Sequence, residues 1–351
     1  MTLLITIIVL AIIFDFINGF HDAANSIATV VSTKVLTPTQ AVIWAAFFNF
    51  VAYFIAKLIL KDFGVAKTIS DTIELNAFKD SMPLVSVVLV AALTAAIIWN
   101  LITWRLGIPS SSSHTLIGGL AGGAIAACGF SAIHSGTIAL IVAFIVLAPV
   151  IGMVGGNLIT LLVMHLAKKM KPAKAERWFK NLQLVSSAGL SIGHGLNDSQ
   201  KVMGVIAVAL VVNQHLENLP KWMKGSDATY MMNNHEWIAL ACFGAIALGT
   251  ICGGWKIMKT MGNRITKITP IEGFCAQTAG ALTLFVTEKL HVPVSTTHVI
   301  TGSIIGVGSI KRLSAVRWGV TKDLLVAWVL TIPVSAIMAM LCYYVLELII
   351  E

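Results

Sequence analysis

Charge is what this chain has least of. Only 11% of its 351 residues are Asp, Glu, Lys or Arg, while 57% are hydrophobic, and the mean hydropathy is +0.87. So few charges cannot cover a water-soluble protein of this length, which excludes soluble enzymes and soluble binding modules and leaves a polytopic membrane protein. Cysteine is also sparse and unpatterned. Cys128, Cys242, Cys252, Cys275 and Cys342 stand singly, with no CxxC spacing, and they read as small apolar residues. Met1 to Phe14 lacks a basic leader, and no small-residue cleavage site precedes Asp15, so it reads as a retained first span and not as a signal peptide. The net charge of +8 does not argue for nucleic acid, because Lys and Arg gather in a few short loops. No nucleic-acid partner is expected, and the lipid bilayer is the environment.

Apolar segments long enough to span fall at about 3–31, 39–60, 83–104, 110–128 and 136–165, then at about 182–212, 236–258, 272–289, 295–310 and 323–350. Three loops hold most of the positive charge: Lys168 to Lys180, Lys256 to Lys267 and Lys311 to Lys322. The excess of basic residues places these loops in the cytoplasm, and counting crossings outward from them puts both termini outside. Five crossings per half invert the second half relative to the first.

That inversion meets an internal duplication. Leu-Gly-Ile-Pro-Ser-Ser-Ser-Ser-His (Leu106 to His114) returns as Leu-His-Val-Pro-Val-Ser-Thr-Thr-His (Leu290 to His298), an offset of 184 that also pairs Arg105 with Lys289, Gly118 with Gly302, Gly122 with Gly306 and Pro149 with Pro333. Asn-Gly-Phe-His-Asp (Asn18 to Asp22) is echoed by His-Gly-Leu-Asn-Asp (His194 to Asp198) at an offset of 176. The fold class expected is therefore an all-α polytopic membrane protein of two inverted-topology repeats, about five segments each, with broken helices or re-entrant hairpins at the midplane. Residues 1–165 form the first repeat, 166–181 a cytoplasmic basic linker and 182–351 the second. The segments 83–128 and 272–310 fit either two crossings or one hairpin whose tip stops near the midplane.

The repeated motifs carry chemistry. Pro109 and Pro293, each followed by hydroxyl residues and a Gly-rich apolar run, mark helix starts. A helix starting inside the membrane aims free N–H groups and a positive dipole end into the protein, which suits an anion. Ser111, Ser112 and Ser113, with Ser295, Thr296 and Thr297, add hydroxyl donors for a tetrahedral oxyanion; a purely capping role is the alternative. Asp22 and Asp198, read as lying in spans broken beside glycines, attract a cation, a metal or a proton. Lys201, which matches Asn25 in the first copy, is either the ion-pair partner of a buried Asp or charge balance for the anion. His21, His114, His194 and His298 are candidate proton carriers, and Asn197 accompanies Asp198.

These residues resemble those of the PiT family of inorganic phosphate transporters over nearly the whole chain: Gly19 to Ser26, Trp99-Asn100-Leu101 with Trp104, Pro109 to His114, Gly195 to Lys201 and Pro293 to His298. The resemblance implies phosphate transport through an inverted-repeat helical fold, with Asn25, Lys201 and the six hydroxyl residues binding substrate and Asp22, Asp198, His21, Asn197, His114 and His298 coupling it to a cation or proton. His21 and Lys201 stand where sodium-coupled members carry Asn, and both changes remove neutral oxygen ligands for sodium. The similarity is therefore to the bacterial proton-coupled, low-affinity branch of the inner membrane. That branch is associated with neutral metal–phosphate complexes, which makes a divalent metal a candidate co-substrate, with Asp22 and Asp198 as its candidate ligands. No cofactor is expected, the coupling ion is H+ with Na+ as the alternative, and a homodimer is left open. Sodium-coupled transport of phosphate or another oxyanion such as sulfate is the near alternative. An intramembrane hydrolase is remote, since catalysis needs one nucleophile–base pair and the sequence offers two matched sets.

Overall fold

Two long helices carry the Asp motifs, and neither is broken. In the computed structural model, which describes residues 1–61, 63–79, 82–216 and 219–350, α1 (Thr2–Ser32) and α7 (Pro172–Val212) run without interruption. This corrects the expectation of a break beside each Asp. The glycines serve close approach instead. A Cβ on Gly19 would collide with the backbone of Ile246 in α9 (Glu236–Cys252), and one on Gly195 with the backbone of Asn49 in α2 (Pro38–Ile55). Each repeat thus grips a helix of the other. Buried polar groups are tolerated in continuous helix because protein, not lipid, surrounds them: the most apolar stretch of α7 is 94% buried, against 17% for α6 (Ser135–Ala167) and 28% for α13 (Trp318–Ile350).

Exposed Val146, Leu158, Leu161, Leu325, Val329 and Leu341 give α6 and α13 the apolar outer surface that faces lipid. The remaining helices are α3 (Gly64–Ser70), α4 (Met82–Leu106), α5 (Ser112–Cys128), α8 (Ala228–Asn234), α10 (Trp255–Lys259), α11 (Pro270–Lys289) and α12 (Thr296–Lys311). Among the described residues there is no strand, only an isolated bridge between Ile73 and Ile133. Among the described residues, seven helices are long and apolar enough to cross a membrane, or eight if α8 and α9, bent by 77°, count as one span. The segment expected to run over 236–258 ends at Cys252, because Gly253 takes φ +69° and α10 begins afresh. Of the stretch 166–181 only residues 168–171 are outside a helix.

α4 with α5, and α11 with α12, form the two hairpins. Gly118 and Gly122 of α5 lie against Ile332 and Ala336 of α13, while Gly302 and Gly306 of α12 lie against Pro149 and Met153 of α6. Partners advancing four residues together mean parallel helices in contact through small residues, the packing that membrane interiors favour. In that register Ser112 and Thr296 stand eight residues inside the 33-residue helices beside them, about 12 Å at 1.5 Å per residue. Both hairpin tips therefore lie within the length of a neighbouring long helix and not beyond its end.

The turns before the tips share a geometry. Gly107 (φ +69°) and His291 (φ +58°), equivalent in the repeat, both adopt the left-handed conformation. Each tip is covered by a short helix from the other repeat. Thr68 Oγ1 of α3 donates to His291 O at 2.8 Å, and Thr260, just after α10, donates to Gly107 O at 3.1 Å.

Candidate functional site

Both proline–hydroxyl motifs start helices. Ser111 Oγ accepts from His114 N at 3.2 Å and Ser295 Oγ accepts from His298 N at 3.3 Å. These two hydroxyls cap α5 and α12. Thr115 N to Ser111 O and Val299 N to Ser295 O are the first intrahelical bonds, so the N–H groups of Ser112, Ser113, Thr296 and Thr297 precede the ladder and point out of the helix ends. Two positive dipole ends thereby converge on the centre of the protein.

Asp22 and Asp198 face these ends from α1 and α7. Each Asp is followed one turn later by the residue that reaches the opposite repeat. Asn25 Nδ2 donates to Thr297 Oγ1 (2.9 Å) and Thr296 Oγ1 (3.2 Å). Lys201 Nζ donates to Ser113 Oγ (2.5 Å), Asp198 Oδ1 (2.6 Å) and Val294 O (2.7 Å). Asn25 and Lys201 are repeat equivalents, and so are Thr297 and Ser113. The structure therefore makes the same cross-repeat bond twice, once from an amide and once from an ammonium. Thr296 Oγ1 adds a 3.4 Å contact to Asp198 Oδ2.

The two carboxylates are held differently. His21 Nδ1 lies 2.7 Å from Asp22 Oδ1, and its Nε2 lies 3.1 Å from Thr103 Oγ1, which also accepts from Ser110 Oγ at 3.0 Å. Asp22 is tied through His21 to the first hairpin. Asp198 meets Lys201 on one oxygen and His194 Nε2, at 3.2 Å, on the other. His194 Nδ1 lies 3.1 Å from Asn49 Oδ1, whose amide nitrogen donates to Thr250 Oγ1 at 2.8 Å. With Nδ1–H given to Asn49, a neutral His194 turns its Nε2 lone pair toward a carboxylate. Such a contact is favourable only with a proton or a cation between the two.

One oxygen each of Asp22 and Asp198 and one nitrogen of His194 lie within 4.8 Å of one another. That set of two carboxylates and one imidazole suits a divalent cation. The ligands expected, Asp22 and Asp198, are joined by His194, which the sequence offered only as a proton carrier. Asn49 and Thr103, which orient the two histidines, carried no signal that sequence reading used. Asn197 makes no side-chain hydrogen bond among the described residues, and neither does Ser112. His114 and His298 pack on each other with ring centroids 4.8 Å apart, and His298 stacks on Trp328 at 4.0 Å. They join the two hairpins to each other and to α13. Every one of these side chains is at most 4% exposed, so the site is closed to both surfaces.

Residues 18–339 match the model of the phosphate transporter family. The chain is similar to a probable low-affinity inorganic phosphate transporter of Rhizobium meliloti (strain 1021), 47% identical over 99% of this chain and 97% of that protein. Its counterpart of the same description in Bacillus subtilis (strain 168) is 44% identical over 99% and 98%. Among solved structures, a sodium-dependent phosphate transporter superposes with a TM-score of 0.82 at 26% identity, over 99% of this chain and 100% of that one.

Proposed function

The chain belongs to the phosphate transporter family, whose members are transporters and not enzymes, and from that premise we propose that it imports inorganic phosphate by proton symport and alternating access. The doubled cross-repeat bond, Asn25 to Thr297 and Lys201 to Ser113, carries this reading. It fixes two helix N-termini around one point beside two carboxylates, which gives an anion and its driving cation a common cavity. Phosphate is held by the free N–H groups of α5 and α12 with Ser112, Ser113, Thr296 and Thr297, while Ser111 and Ser295 keep the helix starts in shape. Asn25 and Lys201 change partners when the anion arrives, each releasing a hydroxyl to it. A divalent metal entering with phosphate is substrate and is taken by Asp22, Asp198 and His194.

Lys201 argues for protons. A sodium ion needs oxygen ligands beside the carboxylate, whereas an ammonium 2.6 Å from Asp198 already supplies the positive charge and offers no oxygen. Alternating access follows from the two covers. Lifting α3 opens the second hairpin tip to one surface, and lifting the segment around α10 opens the first to the other. With the basic loops cytoplasmic, α3 faces outward in the inner membrane and both termini are external. The sodium reading rests on the likeness to a sodium-dependent transporter. Purified protein in liposomes separates them: an imposed inward pH gradient drives accumulation of labelled phosphate, a protonophore collapses it, and a sodium gradient alone does neither. Accumulation from sodium with no pH difference overturns the assignment. Displacement of phosphate by sulfate tests the choice of oxyanion.

A further inference from the structure

Asp15 lies outside the motifs and outside the mechanism above, yet it is as deeply buried as any residue in the protein. It is 0% exposed and, among the described residues, no cation is bonded to it; the Asn18 amide one turn along is the side chain that reaches toward it. It stands on the face of α1 that carries the site. Asp15, Asn18, Asp22 and Asn25 recur at spacings of three, four and three residues, a single helical stripe. The Oδ1 of Asn18, the next polar residue along that stripe, is without a partner among the described residues. The charged and titratable groups that act on Asp15 are Asp198 and Lys201 of α7 and the thiol of Cys242 on α9. The cation that acts on it, Lys201, is already bonded to another carboxylate.

The repeat sharpens the anomaly. At the offset of 176 that matches Asp22 with Asp198, Asp15 falls on Ser191, just as Asn25 falls on Lys201. The first repeat has gained an acid where the second has a hydroxyl, and the second has gained a base where the first has an amide. An unpaired buried carboxylate is stable only when protonated. Protonating it removes one negative charge from a cavity that must accept an anion, so proton and phosphate assist each other's binding, and the coupling is reciprocal.

We infer that Asp15 is the carboxylate that carries the coupling proton, an inference that rests on the proton-symport reading and names its residue. The proton arrives from outside and forms one O–H bond on Asp15. Phosphate binds at the helix ends, and after the site opens inward the same O–H bond breaks as the proton leaves with the anion, so the carboxylate is regenerated. Placed about two turns nearer the N-terminus than Asp22, Asp15 lies on the outward side of the site in the orientation set by the basic loops.

The test is run on full-length protein in liposomes, wild type beside Asp15→Asn and Asp15→Glu. Asp15→Asn, permanently neutral, is expected to keep counterflow of labelled phosphate but lose accumulation driven by a pH gradient, and its apparent phosphate constant is expected to lose its pH dependence. Asp15→Glu is expected to restore both. If wild type shows no pH-driven accumulation, the symport reading itself fails. If wild type shows it and Asp15→Asn matches wild type, this inference alone is overturned. Infrared spectra of the purified protein decide the matter even if Asp15→Asn does not assemble: a protonated-carboxyl band at neutral pH should move in Asp15→Glu, and its absence from wild type contradicts the assignment.

Discussion

Asn25 and Lys201 occupy the same place in the two repeats and make the same bond to the opposite hairpin, but one is neutral and the other charged. Around Asn25 the cross-repeat bonds go to two threonine hydroxyls, with Asp22 tied to His21. Around Lys201 it is ionic, closed by Asp198 at 2.6 Å and by a backbone carbonyl. The duplication preserved the geometry of the two cross-repeat bonds while the charges diverged. On the proposed reading, symmetry accounts for how phosphate is held, and asymmetry for what drives it.

The comparison breaks most forcefully at the aspartates. Asp198→Asn strands a buried ammonium, and losing one partner of a buried pair costs about 3–5 kcal/mol. Asp22→Asn strands no permanent charge. Both proteins are expected to lose uptake, but only Asp198→Asn should unfold at a markedly lower temperature in detergent. Equal thermal shifts would mean that the two halves are electrostatically alike.

The hydroxyls test the shared part. Ser112→Ala removes no protein hydrogen bond, since its Oγ has no partner among the described residues, whereas Thr296→Ala also removes the longer of Asn25's two bonds and the contact to Asp198. Each should raise the half-saturating phosphate concentration about ten- to a hundredfold, the worth of a hydrogen bond to a charged group being about 1.5–3 kcal/mol. An unchanged constant in both, at equal surface abundance, would return these residues to capping alone.

Packing should respond equally in the two repeats. Gly122→Ala and Gly306→Ala each push a methyl into backbone, against Ala336 and Met153, and overpacking costs about 1–3 kcal/mol. Similar losses of thermal stability are expected, and a large difference would show that the hairpins are not equivalently seated. The smallest effect belongs to the turns. Gly107→Ala, at φ +69°, should cost about 1 kcal/mol because a Cβ is disfavoured there. His291→Ala, which has a Cβ already, should carry no such backbone cost.

Much of the architecture was legible because hydrophobic runs and the two offsets are properties of sequence. The segments at 83–104 and 110–128 became α4 and α5 within a few residues, and the proline–hydroxyl runs did start helices. What misled was glycine. Gly19 and Gly195 suggest breaks beside charges, but a glycine also lets another helix approach, and only the packing of α9 and α2 distinguishes the two uses. The short covers α3 and α10 had no apolar length to announce them. His194 could be paired with Asp198 by its spacing of four, but its second anchor, Asn49, lies 145 residues away. Asp15 was visible as a charge in a span, and only its surroundings reveal that no cation is bonded to it.

The central claim, that Lys201 replaces a bound sodium ion and leaves coupling to protons, is tested most directly by one side-by-side flux measurement. Wild type and Lys201→Asn are placed in liposomes, and labelled phosphate uptake is measured under a pH gradient alone and under a sodium gradient alone. The expected result is uptake by wild type with the pH gradient only, and sodium-stimulated uptake in Lys201→Asn, whose amide restores an oxygen beside Asp198 as Asn25 stands beside Asp22. Accumulation by wild type under the sodium gradient, undiminished by a protonophore, would contradict the account.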